Sequence, residues 1–338
     1  MRRADIITLA HGGGGTASSR LTEELFLPAF SNPYLESLSD AAVFKPPRSG
    51  RLAFTTDSFV VDPLFFPGGD IGSLAVHGTV NDLAVSGAVP RYISAGFVIE
   101  EGFGIDDLKK IVGSMGGAAK NSGVFIVTGD TKVVPRGSAD KIFINTSGIG
   151  YVPDGVDISP KRVEEGDRII LSGTIGDHGM AVLTKRSGMR FESDLMSDSK
   201  PLNALAEKIV AAERGVRMMR DPTRGGLAAT LCEIAASTGK GILIEENAIP
   251  INDSVRSVCE ILGLDPLHVA NEGKLVAFVP AKSAEKVLSA MKSCAEGAES
   301  AIIGTVGMAE AGRVEMKTAF IGNRIIEPTI GGQLPRIC

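Results

Sequence analysis

Twice along this chain, runs rich in Val, Ile and Phe alternate with runs whose apolar residues recur at helical spacing. Between the two series lies a stretch that continues neither, and that arrangement limits the folds available more than any other feature. In the first series residues 51–61, 92–99, 124–134 and 141–152 read as strands. Residues 70–86 and 105–121 read as helices, the second on the spacing Ile105, Leu108, Ile111, Val112, Met115. Residues 151–165 then break the pattern with Pro153, Asp154, Gly155 and Pro160, the composition of a linker. In the second series strands at 167–173, 241–245 and 274–280 are separated by helices at 179–186, 202–213, 225–237, 252–262 and 284–293. Without a clean βαβ repeat, this favours α+β domains over a doubly wound sheet. At 338 residues the chain suits two such cores. The expected division is 1–153, 154–316 and a mobile tail, 317–338.

The tail ends on Cys338. Chain ends are usually frayed, so this thiol is expected to be mobile, accessible and outside any packed layer. Residues 322–330 read as an arm, Gly331 and Gly332 as its hinge, and Pro335 as a stiff tip. Seventeen residues from Gly322 could reach about 55–60 Å when extended. A tethered thiol with that reach can carry a chemical group between sites. Cys232, Cys259 and Cys294 form no disulfide or CxxC pattern, and Cys232 and Cys259 read as small buried hydrophobes.

A net charge of -5 without a Lys/Arg cluster argues against nucleic acid or an anionic membrane surface as the main partner. No apolar run approaches a membrane span and no signal-peptide block opens the sequence, so the expected location is the cytoplasm. Glycine, 41 residues, is the outlier, which indicates many loops that need close backbone approach or a positive φ.

Aspartates recur where strands end or helices begin: Asp57, Asp62, Asp82 and Asp130. One such residue is a cap or turn. Four in one domain suggest a Mg²⁺ site, since Mg²⁺ takes carboxylates and leaves positions for water and phosphate. Asp130 and Lys132 are two apart on a strand and share a face, so one can hold metal while the other meets a phosphate oxygen. Gly12, Gly13 and Gly14 lie in a loop whose amides can wrap phosphates, although the Walker A ending is absent. Gly176, Asp177 and His178 open a helix where an anion is favoured, with Asp177 alternatively a plain N-cap. Asn81 and His77 share a helical face. Arg224 offers forked donors for a phosphate or a chain terminus, and Glu272 precedes a strand from which it can project into a cleft.

Taken together, HGGGG at 11–15, TTDSFVVDP at 55–63, NDLA at 81–84, GDTKVV at 129–134, GDHG at 176–179, DPTRGGL at 221–227, NEG at 271–273 and PRIC at 335–338 resemble one superfamily. This is the aminoimidazole ribonucleotide synthetase (PurM)-like group of ATP-dependent enzymes, and within it the hydrogenase-maturation carbamoyl dehydratases. The resemblance implies a homodimer whose first domains share a β-barrel with ATP near the interface, and a second α/β sandwich domain. It implies ATP contacts at Gly12, Gly13, Gly14, Thr56, Asn81, Gly129, Lys132, Gly176, Asp177, His178 and Arg224, with Mg²⁺ on Asp57, Asp62, Asp82 and Asp130. It implies that Cys338 carries a carbamoyl group which is dehydrated to a thiocyanate, the cyanide source for the iron of nickel-iron hydrogenase, with Glu272 as base and Lys132 stabilising charge. A carbamoyltransferase, HypF, would load the thiol and a HypC-HypD complex would accept the cyanide. A small-molecule enzyme of the same superfamily, or a scaffold that uses ATP only to order its arm, are the alternatives.

Overall fold

The computed structural model describes residues 6–36, 38–39, 41–187, 195–320, 322–328, 334 and 336–338. Gly331, Gly332 and Pro335, expected as hinge and tip, lie outside them. In the first domain β1 (Arg51–Phe59), α1 (Ile71–Val85), β2 (Val89–Glu100), α2 (Ile105–Ser122), β3 (Phe125–Val134) and β4 (Ile142–Val152) follow one another. Their strands form one sheet in the order β1-β4-β2-β3. β2 and β3 are parallel because α2 carries the chain back between them, whereas β4 is antiparallel to both neighbours.

α2 buries Leu108, Ile111, Val112 and Met115 on one side and stops where Gly123 takes a left-handed φ of 69°. α1 starts where the Asp70 carboxylate accepts from the Gly72 and Ser73 amides. Thirteen of its fifteen residues are buried, because it lies between the first sheet and the second domain. The two helices cover one face of the sheet. The other face leaves Leu52, Phe54, Val98 and Phe125 exposed, with Phe54 at 70%.

The second domain contains β5 (Arg168–Leu171), α3 (Asp177–Ser187), α4 (Asn203–Ala212), β6 (Met218–Arg220), α5 (Gly226–Thr238), β7 (Ile242–Glu245), α6 (Asp253–Leu262), β8 (Val276–Val279), α7 (Ala284–Lys292), β9 (Ala301–Val306), β10 (Val314–Lys317) and β11 (Asn323–Ile326). The sheet order is β11-β10-β7-β9-β5-β8-β6. Its central strands are apolar throughout, as in Ile169-Ile170-Leu171 and Val276 to Val279. Helices cover both faces, α5 on one and α4 with α7 on the other.

Two expectations are corrected here. Residues 323–326, read as part of a free arm, are the edge strand β11, paired antiparallel with β10. The last residues are also packed. Ile337 is 4% exposed in the first domain's core, beside Val182 and Ala270, and Cys338 packs against the same cluster. Burying an isoleucine side chain contributes about 1.5–3 kcal/mol, enough to hold a short chain end in place.

Candidate active site

The docked tail places the Cys338 sulfur 3.3 Å from Nε of Arg224. Arg224 comes from the turn that leads into α5, and its guanidinium also lies 3.8 Å from the Asp57 carboxylate at the end of β1. Thr55, two residues earlier on the same face of β1, donates to Asp82 of α1 at 2.8 Å. Asp57, Asp82, Asp221, Glu272 and Cys338 therefore line one seam between the domains.

Charge in this seam is crowded. Burial, reinforced by Asp82, raises the Asp221 carboxyl to about 7. Burial also raises Asp82, against the stabilising bond from Thr55. Glu272 is 3% exposed, and burial, with Asp221, Asp198 and Asp57 adding to it, holds its carboxyl well above the ordinary range. Its Oε1 has no hydrogen-bond partner, and neither has Oδ2 of the buried Asp198, whose Oδ1 accepts from the Glu272 amide at 3.1 Å. Burial pushes the Cys338 thiol up to about 12, with Glu272 adding to the shift and Arg224 opposing it. The docked sulfur is thus a protected thiol, half-buried, and the expectation of an accessible, unpacked chain end is corrected for this state.

The remaining residues fall into two groups. Gly12 lies so close to β3 that a side chain there would meet the Val133 amide at 2.6 Å, which sets the glycine loop beside Lys132. Asp130 and Lys132 form an exposed ion pair at 3.0 Å, and Gly129 has the Ala95 carbonyl where a Cβ would sit. Next to them a cavity of 270 Å³ opens between residues 18–39 and β3, lined by Phe26, Phe30, Tyr34, Phe97, Thr128 and Thr131. Sequence reasoning missed this cavity, because residues 16–30 had carried no element.

Strand register separates this group from the acidic seam. Asp57 is level with Thr146, Thr146 with Ala95, and Ala95 with Gly129. Asp57 and Asp130 thus sit on opposite edges of the sheet, three strand spacings or about 14 Å apart. They also project from opposite faces. The expected convergence of four aspartates is therefore not found within one chain. Asp57 and Asp82 come together, whereas Asp130 pairs with Lys132, and Asp62 pairs with Lys141 at 2.9 Å and Arg186 at 4.0 Å. Lys141 holds the Asp62 carboxyl below its ordinary value. Thr56 lies on the uncovered face, where it receives a hydrogen bond from Ser147.

Asn81, Gly176, Asp177 and His178 do not present themselves to a nucleotide. Asn81 is 1% exposed, donating to the Lys200 and Glu272 carbonyls and accepting from the Leu202 amide, so it fixes the loop that carries Glu272. The Gly176 amide is taken by Asn271 Oδ1, and Asp177 accepts from Thr174 and Asn252. His178 is fully buried between Ser197 and the Ile337 carbonyl. His77 bonds Ser199, and burial lowers it to about 4. An amide at a helix start looks alike in sequence whether it faces a phosphate or an interior carbonyl, and here it faces the interior. Cys259 is buried as expected, whereas Cys232 is half-buried with its thiol on the Ile326 carbonyl.

Among the described residues no group of three His, Cys, Asp or Glu side chains is arranged to hold a metal ion. Mg²⁺ bound partly through phosphate needs only one or two carboxylates. The paired Asp57 and Asp82, with Asp221 beside them, supply hard oxygen donors of that kind.

Comparison with known proteins agrees with this architecture. Residues 38–152 match the N-terminal domain of AIR synthase related proteins and residues 164–317 the C-terminal domain. The chain is 52% identical over 342 residues to the carbamoyl dehydratase HypE of Azotobacter vinelandii, covering all of both. Among solved structures, hydrogenase maturation protein HypE in complex with ATP matches with a TM-score of 0.94 at 50% identity, covering 98% of this chain and 99% of that one. A HypE-HypF complex matches at 0.81 and 50% identity, covering 91% and 99%. Two matched domains and full-length identity of this order place the chain in the HypE family of hydrogenase-maturation carbamoyl dehydratases, within the AIR synthase related proteins.

Proposed function

We propose that the protein uses ATP to dehydrate an S-carbamoyl group on Cys338 to a thiocyanate, a cyanide source for the iron of nickel-iron hydrogenase. The observation that carries this reading is the chain's own Cys338 seated against Arg224 and Glu272 in an acid-lined seam. An amide oxygen is a poor leaving group, so it is first made one. The carbamoyl oxygen attacks the γ-phosphorus, the bond to ADP breaks, and the nitrogen gives up a proton. Loss of phosphate with the C–O bond and of the second N–H proton leaves S–C≡N, ADP and inorganic phosphate. The net change is the removal of one water from the adduct.

Glu272 takes a proton from the carbamoyl nitrogen. Its buried carboxyl has a raised proton affinity, which makes its ionised form a strong base. Arg224, on the sulfur, orients the group and faces the oxygen as charge develops. Asp57 and Asp82 would hold Mg²⁺, and the ion when bound supplies neutralisation of phosphate charge. Carrying the substrate on the tail makes its encounter with ATP intramolecular.

The nucleotide is bound by Gly12, Gly13, Gly14, Gly129, Asp130 and Lys132, with its base in the adjoining cavity. Because this half lies across the sheet from Cys338, a working site takes one half from each of two copies. The uncovered sheet face with Leu52, Phe54, Val98 and Phe125 is the surface on which a homodimer would close a shared barrel. HypF, seen with a relative, is the carbamoyl donor, and a HypC-HypD complex is the acceptor. No helix among the described residues is long and apolar enough to cross a membrane, and free thiols fit a cytoplasmic location. Intact mass measurement of protein carbamoylated on Cys338 tests the reading: ATP and Mg²⁺ should remove one water per chain, and an unchanged adduct would refute it.

A further inference from the structure

The last residues are held at several points that nucleotide chemistry does not use. The Arg336 carbonyl receives the Asp62 amide at 3.2 Å and the Arg186 guanidinium at 2.5 Å, and the Arg336 side chain pairs with Asp140. Deeper in, the Ile337 carbonyl lies 2.8 Å from Nε2 of His178. That carbonyl is the final backbone acceptor before the sulfur-bearing residue.

The state of His178 follows from its surroundings. The ring is fully buried, and burial lowers it to about 4, so at neutral pH it is uncharged and carries one N–H. The Ile337 carbonyl decides which nitrogen has it, because a carbonyl oxygen only accepts and Nε2 must therefore donate, which leaves Nδ1 as the acceptor facing Ser197. The Ser199 amide donates to Ser197 Oγ at 3.1 Å, leaving the Ser197 hydroxyl proton for Nδ1 of His178 at 2.8 Å. With Nδ1 accepting, the proton sits on Nε2 and points at Ile337. Phe66 packs edge-to-face with the ring, the two centroids 5.4 Å apart and the planes at 89°. Next along the helix, Gly179 lets α3 lie close to Val269, since a Cβ there would meet Val269 at 2.4 Å.

We infer that His178, oriented by Ser197, is a positioning residue that docks the tail by donating to the Ile337 carbonyl and so seats Cys338 against Arg224 and Glu272. It acts through the backbone of the tail and touches neither sulfur nor nucleotide. This deepens the reading given above and rests on it only for the consequence for catalysis; the docking itself is independent of the reaction.

The test follows alkylation of Cys338 by iodoacetamide in the full-length protein at pH 8 without nucleotide, read from the mass of the C-terminal peptide. Docked, the half-buried thiol reacts slowly, because its surroundings disfavour the thiolate. Releasing it restores an ordinary thiolate fraction, and after allowing for the lower nucleophilicity of the more acidic thiol the rate should rise by about tenfold or more. His178→Leu should show that rise, and His178→Gln, whose amide N–H can reach the same carbonyl, should stay near wild type. Ser197→Ala frees the ring to take the other tautomer and should fall between them. This keeps the test decisive if the leucine variant does not fold. ATP affinity of all three should match wild type, whereas single-turnover dehydration should fall in the order of tail release. Unchanged alkylation in both His178→Leu and Ser197→Ala, or weaker ATP binding with alkylation unchanged, would overturn the inference. If the tail is released as expected but the carbamoylated wild type never loses water, the latch stands and the dehydratase reading fails.

Discussion

Asp221→Asn isolates the electrostatic crowding that the seam holds before metal or nucleotide arrives. In the wild type the Asp221 carboxyl rises from 3.8 to about 7, chiefly through burial and next through Asp82. A shift of three units corresponds to about 4 kcal/mol. Asp221 is only half-buried and shares its field with Asp82 and Asp57, so about half of that, near 2 kcal/mol, is the expected contribution. The folded state binds this proton more tightly than the unfolded chain does. The contribution is therefore complete below about pH 4 and is lost as pH rises through about 7. Asparagine imitates the protonated acid at every pH, so the variant and the wild type should melt alike near pH 4.5. At pH 8 the variant should melt higher by about 4–8 °C, the shift expected for a domain of this size. Differential scanning calorimetry in metal-free buffer from pH 4.5 to 8 reads this directly. A constant offset across the range, or a wild type more stable at pH 8, would refute the argument that these carboxylates repel one another.

Two further predictions bear on the chemistry. Glu272→Gln should leave folding and ATP affinity intact while lowering single-turnover dehydration about 10²–10⁴-fold. Because burial holds the Glu272 carboxyl well above the ordinary carboxylate range, the wild-type rate should go on climbing at pH values where an ordinary carboxylate is already fully ionised, and that climb should vanish in the variant; a persisting climb would assign the base elsewhere. Mixing Lys132→Ala protein with Glu272→Gln protein, each inactive alone, should restore about a quarter of wild-type activity if subunits exchange freely and each site draws on two copies. No recovery in a mixture shown by native mass spectrometry to contain hybrid dimers would mean that one chain holds the whole site.

The four strands and the two sheet-covering helices of the first domain were legible because their residues need no distant partner to declare themselves, whereas the helical turns over residues 16–30 were not. The β-branched runs that became β1 to β4, and the helical spacing of α2, are local signals. β11 escaped for the opposite reason: its four residues, Asn323 to Ile326, form an edge strand with three exposed positions and lack a buried face to pattern. The site was legible as a set of residue types and not as an arrangement. Cys338, Arg224, Asp57, Asp82 and Glu272 do share a seam, but the pairing of Asp62 with Lys141 and Arg186 depends on chain segments that only folding brings together. Asn81 and His178 were misassigned because burial decides whether a polar side chain serves a ligand or the protein's own backbone, and burial of single residues is not written locally. Asp198 and Ser197 were missed outright, and Asp221 entered only as the first residue of the DPTRGGL motif, with no role given to it; nothing near Asp198 in the sequence signals a buried carboxylate.

In the proposed reaction the carbamoyl oxygen is phosphorylated and leaves as phosphate while its carbon stays on Cys338. Following that oxygen is the most direct measurement. Protein carbamoylated on Cys338 with a heavy-oxygen label should, on single turnover with unlabelled ATP and Mg²⁺, release inorganic phosphate carrying one labelled oxygen per thiocyanate formed. Label recovered in bulk water, with unlabelled phosphate, would contradict the account.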